Sequence, residues 1–137
     1  MGAREEPMTP ATALRNAAYH GNLGEVRRLL MEDVDPNVAD EYHRTALSGA
    51  AGEGHLAVVE ALLAGGAWVD PHEDYDTYET PLMAAASKGH LAVVKKLIEA
   101  GADPTFHNGV AQRTAAAYAS TNGHDEVASY FARLTGE

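Results

Sequence analysis

The chain has 137 residues, 45% hydrophobic and 22% charged, with ten Lys and Arg against twenty Asp and Glu, no cysteine and a formal charge of −10. That length accommodates one soluble globular domain rather than two, and no run of apolar residues is long enough for a membrane helix. Zero cysteines exclude disulfides, thiolate metal sites and cysteine nucleophiles, while the negative charge argues against nucleic acid and anionic membrane and favours a partner protein with a basic patch.

Residues 1–10, MGAREEPMTP, lack the apolar core of a signal peptide and read as an N-terminal tail. A single domain is expected over 11–135, cytoplasmic in location. From there the chain repeats itself. TALRNAAYHGNLGEVRRLL opens at Thr12, TALSGAAGEGHLAVVEALLAGGA at Thr45, TPLMAAASKGHLAVVKKLIEAGAD at Thr80 and TAAAYASTNGHDEVASYFARL at Thr114. The units run over about 11–44, 45–79, 80–113 and 114–135.

Each unit predicts a short helix followed by a longer one. Thr12, Thr45, Thr80 and Thr114 are the expected N-caps, with Pro81 at a first helical position. Leu47, Ala50 and Ala51 share one face, as do Leu82, Ala85 and Ala86. Gly21, Gly54, Gly89 and Gly123 are placed to end the first helices. In the second helix of the second unit, Leu56, Val59, Leu62 and Leu63 are expected to point inward, and Gly66 and Gly101 to stop the second helices. One such pair cannot bury its own apolar face, so stacked neighbours must complete the core.

These motifs resemble the ankyrin repeat closely, with Met83 at the position where that family usually has histidine. The resemblance covers about 11–135 and implies an all-α solenoid of four stacked helix-turn-helix units with hairpin-like loops. It also implies a concave groove lined by the loops and first helices. The fourth unit departs from the pattern, with Ala115 in place of Pro and Asp125 in place of Leu, as a polar capping unit would. With both terminal units polar, a monomer is expected.

Motifs for chemistry are absent. GAAGEGH at 49–55 lacks the strand and the Lys-Ser/Thr of a phosphate loop, and the repeat accounts for Gly54. His55, His90 and His124 recur one per unit, and His20, His43, His72 and His107 follow no pattern, so no short metal-ligand spacing appears. DYDTYE at 74–79 fails the calcium-loop pattern, with Glu79 and Ala85 where Gly and Glu are required. We expect no catalytic residues, no metal and no cofactor.

The interval from Thr45 to Thr80 is the longest of the three, and the extra residues fall in the acidic, aromatic stretch PHEDYDTYET at 71–80. Residues 45–87 hold seven acids and no Lys or Arg, a single-sign field suited to a basic partner. Candidate partner-binding residues in this stretch are His72, Asp74, Tyr75, Asp76, Tyr78 and Glu79, the tyrosines serving as anchors. Tyr42, Arg44 and Arg113 in the neighbouring loops extend that face. Tyr19, Glu53 and Lys88 precede the repeat glycines, at positions that line the groove in proteins this chain resembles. Trp68 stands where the GAD turn of the third unit has Asp103, which puts the turn at 66–70 in doubt. It reads first as a packed support under the long loop and second as a contact. Arg27, Arg28, Lys95 and Lys96 fall on second helices as solvated faces. The resulting expectation is a non-enzymatic protein–protein interaction module. The alternatives are a cognate, immunity-type inhibitor of a basic-faced toxin or nuclease and, from another class, a small-ligand binder or enzyme.

Overall fold

The computed structural model describes residues 8–70, 79–107 and 113–136. Among them stand eight helices and no strand: α1 (Pro10–Tyr19), α2 (Leu23–Met31), α3 (Ala46–Glu53), α4 (Leu56–Ala64), α5 (Pro81–Ser87), α6 (Leu91–Glu99), α7 (Ala115–Thr121) and α8 (Asp125–Thr135). The first helix of each unit packs on the first helix of the next, α1 on α3 on α5 on α7, and α2, α4, α6 and α8 form a second layer behind them.

Small side chains let the first layer stack closely. Ala18, Ala50, Ala51, Ala85, Ala86 and Ala119 are fully buried, and Leu14, Leu47 and Leu82 fill the space behind them. Thr45, Thr80 and Thr114 cap as expected, each hydroxyl accepting the amide three residues on. The first unit differs. Thr9, not Thr12, caps α1, accepting the Thr12 amide at 3.1 Å, with Pro10 at the first helical position. Thr9-Pro10 repeats the cap-and-proline dipeptide of Thr80-Pro81, and it extends the helix by about one turn.

In α4 the buried residues are Val58, Val59 and Leu62, whereas Leu56 and Leu63 are only half-buried at the margins of the core. Asp125 occupies the position of Leu56 and Leu91 at a helix start, where it is exposed and its carboxylate complements the helix dipole.

Histidine and glycine lock successive units together. The His90 ring lies where a Cβ on Gly54 would stand, 2.7 Å from it, and the His124 ring does the same to Gly89. Both glycines also hold a left-handed φ of +78°. His55 Nε2 meets the Tyr19 carbonyl at 3.0 Å and His90 Nε2 the Gly52 carbonyl at 3.1 Å. The recurring histidines are thus stacking residues.

The turn at 66–70 keeps the form of its counterpart. The Ala67 amide donates to the Leu62 carbonyl at 2.9 Å, as the Ala102 amide does to Leu97. The Trp68 amide donates to Asn37 Oδ1 at 2.7 Å, and Asp103 repeats this on Asp70 Oδ2 at 2.8 Å. Trp68 therefore replaces aspartate without altering the backbone. Its side chain is 51% exposed, and residues 71–78 of the long loop that it is expected to support lie outside the described residues.

Candidate binding groove

The first helices present a trough of about 720 Å³, floored by Ser48, Gly49, Gly52 and Ala84 and walled by Tyr19 and the loop at 40–44. Tyr19 leans over α3, its Cβ 3.8 Å from where a Cβ on Gly49 would stand.

The loop at 40–44 is built around one carboxylate. Asp40 accepts the amides of Tyr42 and Arg44, both at 2.9 Å, and the Arg44 Nε–H at 3.0 Å. The Asp40 amide closes the loop on the Arg44 carbonyl at 3.0 Å, with His43 in the left-handed region at φ +65°. Partial burial opposes ionisation of Asp40, but the Arg44 and Tyr42 amides and the Arg44 guanidinium outweigh it and hold the carboxyl below the usual aspartate range. The Arg44 guanidinium lies 4.9 Å over the Tyr42 ring, which is 66% exposed. An aromatic–arginine pair is thereby fixed in place at the trough's rim.

Charge is unevenly spread along the trough. Arg15 donates to the Val38 carbonyl at 3.0 Å and to Thr12 Oγ1 at 3.1 Å, and no carboxylate among the described residues pairs with it. At the other end, Lys88 stands 3.8 Å from Glu53. Desolvation raises the Glu79 carboxyl above its ordinary value, opposed by the charge of Lys88.

The sequence pattern of the family described as ankyrin repeats (3 copies) matches residues 3–73 and 50–136. The chain belongs to the ankyrin repeat family. It is also 38% identical over 65 residues to the human "Ankyrin repeat domain-containing protein 39", a match covering 47% of this chain and 36% of that protein's length. Ankyrin repeats generally serve protein–protein interaction, and the family is generally non-enzymatic.

Of the residues singled out in this ankyrin sequence, Tyr19, Tyr42, Arg44, Glu53, Glu79 and Lys88 come together in the trough. Trp68 and Arg113 do not line it: Trp68 sits on the turn after α4, and the Arg113 guanidinium lies 5.7 Å from the centre of the Tyr118 ring. His72, Asp74, Tyr75, Asp76 and Tyr78 lie outside the described residues. Arg15, Asp40, Gly49 and Gly52 were not anticipated. Asp40 had a legible signal, an acid four residues before Arg44, and Arg15 stands one helical turn before Tyr19. No helix among the described residues is long and apolar enough to cross a membrane.

Proposed function

We propose that this chain is a non-enzymatic binding module that holds one partner protein against its concave face, with α1, α3 and α5 as floor and the loops before each first helix as rim. The observation that carries this reading is the Tyr42–Arg44 pair, exposed yet already ordered by Asp40. Side chains of these types dominate binding hot spots, and ordering them before contact lowers the entropic cost of association. The acidic stretch at 70–79 belongs to the same rim in sequence, with Tyr75 and Tyr78 as further anchors and its carboxylates steering a partner with a basic patch. The module works as a cytoplasmic monomer without metal or cofactor.

The experiment is affinity capture from lysate with three folded proteins: wild type, a groove variant (Tyr19→Ala, Tyr42→Ala, Lys88→Glu) and a back-face variant (Arg27→Glu, Lys95→Glu). A partner kept by the back-face variant and lost by the groove variant is expected. The reverse pattern refutes the concave site. The formal charge of −10 favours a second reading, a cognate inhibitor of a basic-faced toxin or nuclease. Binding would then weaken steeply as salt rises, because exposed charges are screened. Salt-independent binding sinks that version.

A further inference from the structure

Two glycines inside α3 have no structural explanation within the chain. Gly49 and Gly52 sit in the helix interior, and neither has a positive φ. A Cβ on Gly49 would meet Tyr19 at 3.8 Å and one on Gly52 would meet Ala84 at 3.5 Å, both ordinary contacts. Other units carry side chains at these places: Asn16 and Tyr19 in α1, Ala84 and Ser87 in α5, Tyr118 and Thr121 in α7. Glycine lowers helix stability relative to alanine, so α3 is weaker than its packing requires. Both glycines lie on the trough floor, where the missing side chains leave the helix backbone open to close approach.

The charges lining this bed fall into two groups by their contacts. Arg15 bonds the Val38 carbonyl, just before Asp40, which pairs with Arg44 at 3.0 Å, so this group holds two cations and one carboxylate. Lys88 lies 3.8 Å from Glu53 and its charge acts on Glu79, so the second group holds two carboxylates and one cation. Asp40 engages only the Nε edge of Arg44, so the guanidinium keeps its two terminal nitrogens for another acceptor.

The geometry points to a linear protein segment of mixed sign as the occupant. It crosses α3 with a large side chain seated on Gly49 and Gly52, places a carboxylate against the outer edge of Arg44, and sets a Lys or Arg beside Glu79. This rests on the concave-face reading above and specifies its ligand. The acidic field of the chain favours a basic partner at long range. The carboxylate demanded at Arg44 then selects among basic partners, since one without an acid leaves the net positive charge that Arg15 and Arg44 keep beside Asp40 without an opposite charge.

The test uses a displayed library of short random linear peptides, selected on the intact chain. Expected are peptides with Asp or Glu on one side of a large residue and Lys or Arg on the other. Their affinity should fall about tenfold or more in Arg44→Gln and in the double variant Gly49→Ala, Gly52→Ala. The double variant should at the same time melt higher than wild type, which removes misfolding as the cause of its lost binding. Enriched peptides lacking an acid, or affinities unchanged in either variant, overturn the inference. If those peptides still lose binding in Tyr19→Ala or Lys88→Glu, the groove stands and only the ligand chemistry is wrong. If no groove substitution affects them, both readings fall. A library that enriches nothing also overturns the inference, because a linear segment is what it requires.

Discussion

On the second-helix layer, Arg28 donates to Glu25 at 2.5 Å and to Glu32 at 2.8 Å. On that layer Lys96 lies 3.8 Å from Glu60 and 3.5 Å from Glu99, and Lys95 stands over the Tyr130 ring. On the first-helix layer, Arg15 has no acidic partner among the described residues, Lys88 and Glu53 are 3.8 Å apart, and Glu79 is held partly desolvated. The same contrast runs through the backbone. The second helices are nine to eleven residues long and α4, α6 and α8 hold large buried side chains, whereas α3 carries two interior glycines. Each layer thus holds both paired and unpaired charge, Arg27 on the back and Arg15 on the front having no ion pair among the described residues. The clearer contrast is the helix stability that the two glycines leave unclaimed in α3, as the concave-face proposal requires.

The largest way to test that division is to weaken the back. Leu62 is fully buried in α4. Leu62→Ala should cost about 3 kcal/mol through lost burial and the cavity left behind, lowering the thermal midpoint by about 10 °C. Calorimetry reads it, and a change of only a degree or two would mean that the second layer is not the main source of stability.

Next in size is a pair of identical changes in one helix and its cap. Gly54→Ala meets the left-handed φ and the His90 ring together, and His90 must leave the Gly52 carbonyl. The expected cost is about 2 kcal/mol. Gly49→Ala, five positions earlier, should instead stabilise by up to about 1 kcal/mol. Opposite signs in parallel melts would separate the glycine that the fold requires from the one that the surface requires. Destabilisation by both would remove the argument that α3 is weakened for an occupant.

Much of the back layer and of the stacking was legible in the sequence, because its causes are local and repeat. Thr45, Thr80 and Thr114 cap by bonding three residues ahead, and Gly54 and Gly89 end helices through their own backbone. Thr9 was missed although Thr9-Pro10 repeats Thr80-Pro81, since alignment on Thr12 hid a helix beginning one turn earlier. Trp68 in place of aspartate put the turn at 66–70 in doubt, but the hydrogen bond that its amide donates to Asn37 Oδ1 preserves that turn. The groove was only half legible. Tyr19, Glu53 and Lys88 follow from their register beside the repeat glycines. Arg15 depends on the Val38 carbonyl, 23 residues along the chain, and no spacing rule foretells that contact. The glycines at 49 and 52 were visible as letters, but only the structure shows that a Cβ there would make ordinary contacts, with Tyr19 and with Ala84.

The smallest effect concerns how the front layer titrates. Asp40 is held below the usual aspartate value of 3.8, so the loop at 40–44 is favoured by its ionisation. That contribution is complete above the unfolded aspartate value, about 3.9, and is lost as pH falls through the lower folded value. Glu79 has the opposite sign. Its carboxyl is raised above 4.5, so ionised Glu79 opposes folding, and stability is gained as pH falls through the raised value. On acidification the groove should therefore lose the negative charge of Glu79 first, while Asp40 still holds Tyr42 and Arg44 in place. Carboxyl resonances followed by NMR should show Glu79 titrating above Asp40, with the Tyr42 and Arg44 amides moving together only at the lower step. Movement of those amides together with Glu79 would mean that the loop at 40–44 is not ordered by Asp40. The positive pole of the groove would then have to form on contact, and the proposed concave site would lose the rigid rim on which it rests.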